Sequence, residues 1–317
     1  MGWLARRYGL ACDNVARFQV VTADGEILHA SRSENPDLDW GLRGGGGNFG
    51  VVTEFEFDLH QVGTAALIVD LWYPPQDAAA AMENWRGLIP EAPGQATFTA
   101  WVGTTGETPS LPPEVWNRPM AAFGYVWVGD PDQGRQLLPA LRAGAPPLAE
   151  RVMELTYLEL QRFEDDRQRH GPRRYWKGHF LRELGDGAIN AFLSRGGDDN
   201  HALLPSGSLQ SYGGAVAEVG DAETAFSHRD ALVEFVAVAS WTDQAEDQPR
   251  MSAARRYAGA VEPFSSGVYV NALGDEGQTG IQRAYGAGKL ARLTALKDRY
   301  DPGNILHLNH NIRPSSG

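Results

Sequence analysis

The chain has 317 residues, 42% hydrophobic and 21% charged, a composition that can bury a substantial core and that suits about two domains. A formal net charge of −12 argues against general affinity for nucleic acid or for an anionic membrane, because both reward basic surface. The longest apolar runs, Ala65 to Val69 and Leu232 to Ser240, are too short to span a bilayer as a helix. The single cysteine, Cys12, forms no internal disulfide and leaves the redox compartment undecided.

The opening "MGWLARRYGL" has basic residues but no apolar signal core, so it does not read as a secretory leader. Location, cytoplasmic or secreted, stays open. Phe18 to Val21 and Glu26 to His29 flank "TADG", a hairpin pattern. In "SENPDLDWGLRG", Asn35-Pro36 starts a helix that the glycines stop. From Val51 the period becomes two. Val51, Thr53, Phe55, Phe57 and Leu59 are expected on one face of a half-buried strand, with Val52, Glu54, Glu56, Asp58 and His60 on the other.

Between that helix and that strand lies "GGGGNFG". It contains G-x-G-x-x-G at Gly45, Gly47 and Gly50, with Asp70 twenty residues on. A dinucleotide fingerprint must open a helix, however, whereas these glycines open a strand, so Asp70 is a coincidence of spacing. Four consecutive glycines cost roughly 0.5–1 kcal/mol each relative to alanine. That is more than a tight turn requires, and it points to backbone approaching a ligand, with Gly45 to Asn48 offering N–H groups to it.

The middle alternates strand-like runs, among them "AALIVDLWY", "ATFTAWVG", "AAFGYVWVG", "YWKGHFL", "SLQSYGGAVAEV" and "ALVEFVAVASW", with helical stretches. The helical stretches are Asp77 to Ile89, Pro131 to Ala143, Ala149 to Phe163, Asp186 to Arg195 and Pro249 to Ala260. This order lacks strict βαβ alternation and suggests an α+β fold with a largely antiparallel sheet. "TGIQRAYGAGKLARLTALKDRY" is mostly helical, weakened at Gly286 and Gly288, and Asp301-Pro302-Gly303 ends it. His170, His179 and His201 show no metal-ligand spacing, and no metal site is expected.

Taken together, "GWLARRYGLACDNV", "VVTADGEIL", "ENPDLDWGLRGGGGNFGVVTEFEFDLH" and "YDPGNILHLNHNIRP" resemble the berberine bridge enzyme-like family, flavin-dependent oxidases of the vanillyl-alcohol oxidase superfamily. The resemblance covers residues 2 to about 63 and about 205 to 314. It implies a partial vanillyl-alcohol oxidase-type FAD-binding domain (residues 1–62), a substrate domain with an antiparallel sheet flanked by helices (63–268), and a carboxy-terminal segment (269–317) returning to the first domain. The implied cofactor is FAD. Gly2, Asp13, Asn14, Gly45, Gly46, Gly47, Asn48, Phe49, Gly50, Val51 and Val52 are implied to lie along it, with Asn309 and Asn311 reaching its ring region.

The implied reaction is hydride transfer from a substrate C–H, of alcohol or sugar type, to flavin N5, with reoxidation by molecular oxygen. Tyr269, in the family's Y-x-N segment, is the candidate base, although the family's frequent aromatic at position 272 is here Ala272. Tyr212 and His228 are candidate substrate contacts. The family's phosphate-binding loop and flavin-tethering residues precede the position matched by Gly2. The resemblance therefore implies an amino-terminally truncated member that holds FAD weakly or not at all by itself. The alternatives are an inactive relic that keeps a ligand or partner, and a subunit whose amino-terminal half is a separate polypeptide. The expected partners otherwise are a small-molecule substrate and oxygen, with no nucleic acid and no membrane.

Overall fold

A computed structural model describes residues 1–107, 109, 111–165, 170–197 and 203–315. After the short helix α1 (Ala5–Tyr8), strands β1 (Val15–Val21) and β2 (Ile27–Ala30) form the hairpin around "TADG". Helix α2 (Pro36–Leu42) carries Pro36 in its first turn, where its missing N–H costs no bond, and β3 (Val51–Phe57) follows the glycines. These strands make a three-stranded antiparallel sheet in the order β2-β1-β3.

The strand β3 departs from strict alternation. Its pairing with β1 shifts register between Val15 and Arg17 and between Gln19 and Val20, which leaves Ala16 and Thr53 as extra residues. Each bulge rotates the following residues by one position. Val52 thereby joins Phe55 and Phe57 on the face of Val15, Phe18 and Val20, instead of lying opposite them. Arg17, Glu54 and Glu56 pair on the solvent face. The expected half-burial also fails: Phe55 is 51% and Phe57 45% exposed, because nothing among the described residues covers that end of the apolar face.

The second sheet has seven antiparallel strands: β4 (Ala65–Tyr73), β5 (Ala96–Thr104), β6 (Pro119–Val128), β7 (Ala149–Thr156), β8 (Arg173–Leu181), β9 (Ser206–Ser211) and β10 (Val233–Trp241). Their order is β7-β4-β6-β5-β9-β10-β8. Helices α3 (Pro75–Leu88), α4 (Pro131–Arg135), α5 (Leu138–Arg142), α6 (Tyr157–Arg162), α7 (Asp186–Ser194), α8 (Ala215–Glu218), α9 (Asp247–Val261) and α10 (Gly277–Tyr300) complete the chain. The core under α3, α7 and α9 contains Trp85, Phe98, Phe123, Phe192, Phe235 and Tyr257, all essentially inaccessible. At roughly 1.5–3 kcal/mol for a fully buried large apolar side chain, this layer dominates the favourable side of folding.

Two expected elements are corrected. Residues 149–156 form an edge strand rather than a helix. They pair with β4 from Ala149↔Trp72 to Thr156↔Ala65, and the helix begins only at Tyr157, behind a capping box of Thr156 and Glu159. The run "SLQSYGGAVAEV" ends as a strand at Ser211, because Gly213 and Gly214 take φ of +84° and +56° and turn the chain into α8. Asp70 pairs with Arg151 on the sheet, in keeping with an accidental spacing.

A second core joins the two ends of the chain. Val15, Phe18, Val20, Leu38, Trp40 and Phe49 pack with Val268, Ile281, Tyr285, Leu293, Leu296 and Ile312. Helix α10 is kinked at Gly286, where φ is +70° and ψ 166°. The glycine segment is wedged into this core. A Cβ on Gly44, already at φ +118°, would meet the backbone of Phe226, and one on Gly45 would meet Leu293 and Phe49. Gly44→Ala is expected to cost about 1–3 kcal/mol through strain in the left-handed region, which a lowered urea midpoint at unchanged m-value would report.

Candidate functional site

The loop from Gly44 to Gly50 leaves α2 and enters β3. On its inner side the chain's own atoms explain much of the glycine content. A Cβ on Gly47 would meet Asn309 Nδ2, and one on Gly50 would meet Val20 and Val21. Gly46, with φ +73°, faces only the Asn48 amide, and Gly2 faces open space. The inference from glycine to ligand therefore holds at fewer positions than the sequence suggests. Packing demands glycine at Gly44, Gly45 and Gly50, a Cβ on Gly47 would displace only the Asn309 amide, and open backbone remains at Gly2 and Gly46.

The carboxy-terminal asparagines reach this turn. Asn48 Nδ2 donates to the carbonyls of Gly45 (3.0 Å) and His310 (3.3 Å), and its Oδ1 accepts from Ile312 N at 3.0 Å. Asn309 Nδ2 lies 3.5 Å from Gly47 O. Lys297, fully buried, donates to Asn48 O, Asp301 and Leu306 O, which clamps the tail to the glycine loop.

A cleft of about 750 Å³ opens beside the loop. One wall is the apolar face of β1 and β3, with Phe18, Val52, Phe55 and Phe57. Gly44, Gly46, Gly47 and Gly50 form its edge, and Tyr212, Phe226, Tyr269 and Asn271 close the far side. Gly2, Cys12 and Asn14 line the end formed by the first turn of the chain. Burial holds the Cys12 thiol protonated, raising its pKa to about 12. No Asp, Glu, Lys or Arg is among the lining residues.

The other expected residues fall as follows. Asp13 points away into a buried ion pair, its oxygens 2.6 and 3.0 Å from Arg229, and it also accepts from Leu10 N. Asn14 Nδ2 is bonded to Tyr8 O and Leu10 O, and its Oδ1 to His60. Phe49 is buried in the second core, and Val51 is exposed on the outer side of β3. The Asn311 Oδ1 atom is buried with no partner among the described residues. His228 takes φ +62°, its Nε2 lies 3.0 Å from Arg283 O, and it is absent from the cleft lining. Among the described residues no group of three or more His, Cys, Asp or Glu is placed to hold a metal; His201 lies outside them.

Tyr269 is in the cleft, and Asn271 Nδ2 donates to its hydroxyl at 2.7 Å. Burial raises its pKa, with the charges of Glu234 and Cys12 acting in the same direction, so the phenol is not poised to ionise. Sequence reading missed Glu234. It lies on β10, is 8% exposed, and accepts a 2.9 Å hydrogen bond from Tyr212. Burial raises its pKa above 4.5, against the bond from Tyr212. The clue in the sequence is one acid inside "ALVEFVAVASW", on the face away from Val233 and Phe235.

A carboxyl whose pKa rises on folding holds its proton more tightly in the folded chain. It favours folding at low pH, and that favour is lost as pH climbs from 4.5 through the raised value. Melting temperatures from about pH 4 to about pH 8 are therefore expected to decline relative to those of Glu234→Gln.

Open backbone at Gly2 and Gly46 and an uncharged aromatic wall suit a flat heteroaromatic group with polar edges. A site of this kind, set between a small antiparallel sheet and a larger helix-backed one, fits a flavin-dependent oxidoreductase. Residues 268–313 match the family described as "Berberine and berberine like". An uncharacterized FAD-linked oxidoreductase of Bacillus subtilis, YvdP, is 27% identical over 99% of this chain and 69% of its own length. The FAD-linked oxidoreductase OXR1 of Pyricularia oryzae is 31% identical over 95% of this chain and 61% of its own. Among solved structures, Physcomitrella patens BBE-like 1 superposes with a TM-score of 0.82 at 21% identity (99% of this chain, 68% of that one). A carbohydrate oxidase from Microdochium nivale gives 0.81 at 23% (99% and 69%). Along nearly its whole length the chain is similar to berberine bridge enzyme-like FAD-linked oxidoreductases, with FAD as cofactor, and it spans about two thirds of the length of these relatives.

Proposed function

We propose that the chain serves an oxidation in which a substrate carbon bearing a hydroxyl loses a hydride to FAD and the hydroxyl loses a proton. FAD, when bound, supplies the hydride acceptor and returns the electrons to molecular oxygen. The chain's own residues do the rest. Phe18, Phe55 and Phe57 exclude water from the apolar side. Gly2 and Gly46 offer open backbone to the polar edges. Tyr212 takes the substrate's hydroxyl proton as it passes its own to Glu234, across the 2.9 Å bond already formed. The proton rests on a carboxylate whose raised pKa suits it to that role. Tyr269, held by Asn271, orients the hydroxyl.

The observation that carries this reading is that the glycine turn and Tyr212 line one cleft, with Glu234 bonded to Tyr212 behind its wall and the asparagine tail clamped behind the turn. Because no Lys or Arg side chain is among the described residues lining the cleft, the pyrophosphate of FAD gains little there, and affinity should be micromolar rather than nanomolar. Titration of the purified chain with FAD, followed by flavin fluorescence, is expected to saturate in that range, and Phe55→Asp should weaken binding at least about tenfold (about 1.4 kcal/mol). Quenching that never saturates, or that ignores the substitution, would overturn the reading.

A further inference from the structure

His228 does not line the cleft, yet its backbone is held at φ +62°, in the left-handed region that a non-glycine residue rarely occupies. Such a conformation persists only where the surroundings enforce it, and it calls for a function. The ring lies directly over Gly267, where any Cβ would run into Cε1, Nε2 and Nδ1. It points Nε2 at the carbonyl of Arg283, 3.0 Å away. A carbonyl only accepts, so Nε2 carries the proton. Protonating the ring fully would leave this bond in place, which excludes a simple pH switch at His228.

Arg283 sits one turn before the break in α10 at Gly286. A break frees carbonyls in the turn that precedes it, because their donors one turn on have moved away. His228 supplies a donor to one of them, and Ser227 Oγ lies 3.4 Å from another, that of Tyr285. Beyond the break, Lys289 Nζ donates back to Phe226 O at 2.6 Å. Residues 226–228 are thus bonded to α10 on both sides of its kink.

The other side of the same segment holds the start of the glycine loop. Ala225 N donates to Trp40 O and Phe226 N to Arg43 O, at 3.2 and 2.9 Å. Phe226 backbone fills the place where Gly44 would carry a Cβ. Tyr285, next to the kink, donates its hydroxyl to Gly44 O at 3.0 Å. Gly44, Phe226 and Tyr269 all line the cleft, and the rings of Phe226 and Tyr269 are 5.8 Å apart. The bend in α10 and the edge of the cleft therefore share one strap.

Resting on the reading that this glycine loop edges the flavin, we propose that His228 is a positioning residue. Its bond to Arg283 O keeps α10 bent, and the bend sets Tyr285, Phe226 and Gly44 at the cleft. Three variants separate the bond from the backbone strain. His228→Asn tolerates the left-handed conformation, but its amide stops short of Arg283 O. His228→Gln places an amide N–H near the position of Nε2. Gly267→Ala displaces the ring without altering His228.

The measurement is hydrogen–deuterium exchange on the flavin-free chain, read peptide by peptide. His228→Asn and Gly267→Ala are expected to speed exchange about tenfold in residues 43–48 and 284–289, with β4 and β10 unchanged. His228→Gln should restore most of the protection. In a parallel titration, FAD should bind about fivefold more weakly to His228→Asn than to the unaltered chain. Unchanged exchange in residues 43–48 would overturn the proposal. So would equal quickening in β4 and β10, which marks a general loss of stability, or a Gln variant no better than the Asn one. Local quickening in a chain that binds no FAD would sink the flavin reading and leave the strap standing. FAD binding that saturates, with exchange unmoved by every variant, would do the reverse.

Discussion

Replacing Lys297 by Met is expected to destabilise the protein by about 3–5 kcal/mol, the cost of leaving one member of a buried ion pair alone. Lys297 and Asp301 are both inaccessible, 2.6 Å apart, one helical turn from each other at the end of α10. The same ammonium donates to Asn48 O in the glycine loop at 3.1 Å and to Leu306 O in the tail at 2.8 Å. Met fills the space but satisfies none of these acceptors. Asp301 keeps only the N–H groups of Ile305 and Leu306. Urea unfolding of the variant should show the loss. Lys297→Met with Asp301→Leu should recover part of it, because removing both charges avoids the stranded carboxylate. A loss below about 1 kcal/mol would mean that the clamp between loop and tail is not structural.

The second large effect is expected at Arg229. Its guanidinium, 3% exposed, makes a bidentate pair with Asp13 and also donates to Val216 O (3.1 Å) and Thr224 Oγ1 (2.8 Å). Forked pairing of this kind combines two charge-assisted bonds in fixed geometry. Arg229→Leu should cost about 3–5 kcal/mol. Because Asp13 belongs to the first turn of the cleft, the substitution should also loosen residues 1–14, read as faster amide exchange there than in β4 or β10. Arg229→Lys should recover less than half of the loss, since an ammonium cannot span both oxygens and both neutral acceptors. Uniform loosening of the whole chain, or none, would contradict the local role.

These two networks explain much of what was legible in the sequence and what was not. Short-range chemistry could be read directly: the D-G hairpin, Pro36 at a helix start, glycines opening a strand, and most of the strands of the large sheet. The approach of the terminal asparagines to the glycine loop followed from family likeness, and Asn309 and Asn48 place it in space. What escaped depends on non-local pairing. Residues 149–156 carry helix-compatible composition and become a strand only because β4 offers an edge. The bulges at Ala16 and Thr53 invert which β3 side chains share a face, and alternation alone cannot register an inserted residue. Asp13 and His228 looked like ligand contacts, but their polar atoms turn to Arg229 and Arg283. Glu234 was hidden by its setting, an acid in an apolar strand whose significance lies in Tyr212, twenty-two residues earlier in sequence and directly bonded in space.

The central claim is that the wall of Phe18, Phe55 and Phe57, the edge at Gly46 and the Tyr212–Tyr269 side enclose the flavin ring. Photolabelling the chain with 8-azido-FAD and locating the attached peptides by mass spectrometry tests this most directly. The label is expected within residues 42–57 and 269–271, and excess FAD should suppress it. Label confined to the helix-covered side of the large sheet, or incorporation that FAD does not suppress, would contradict the account.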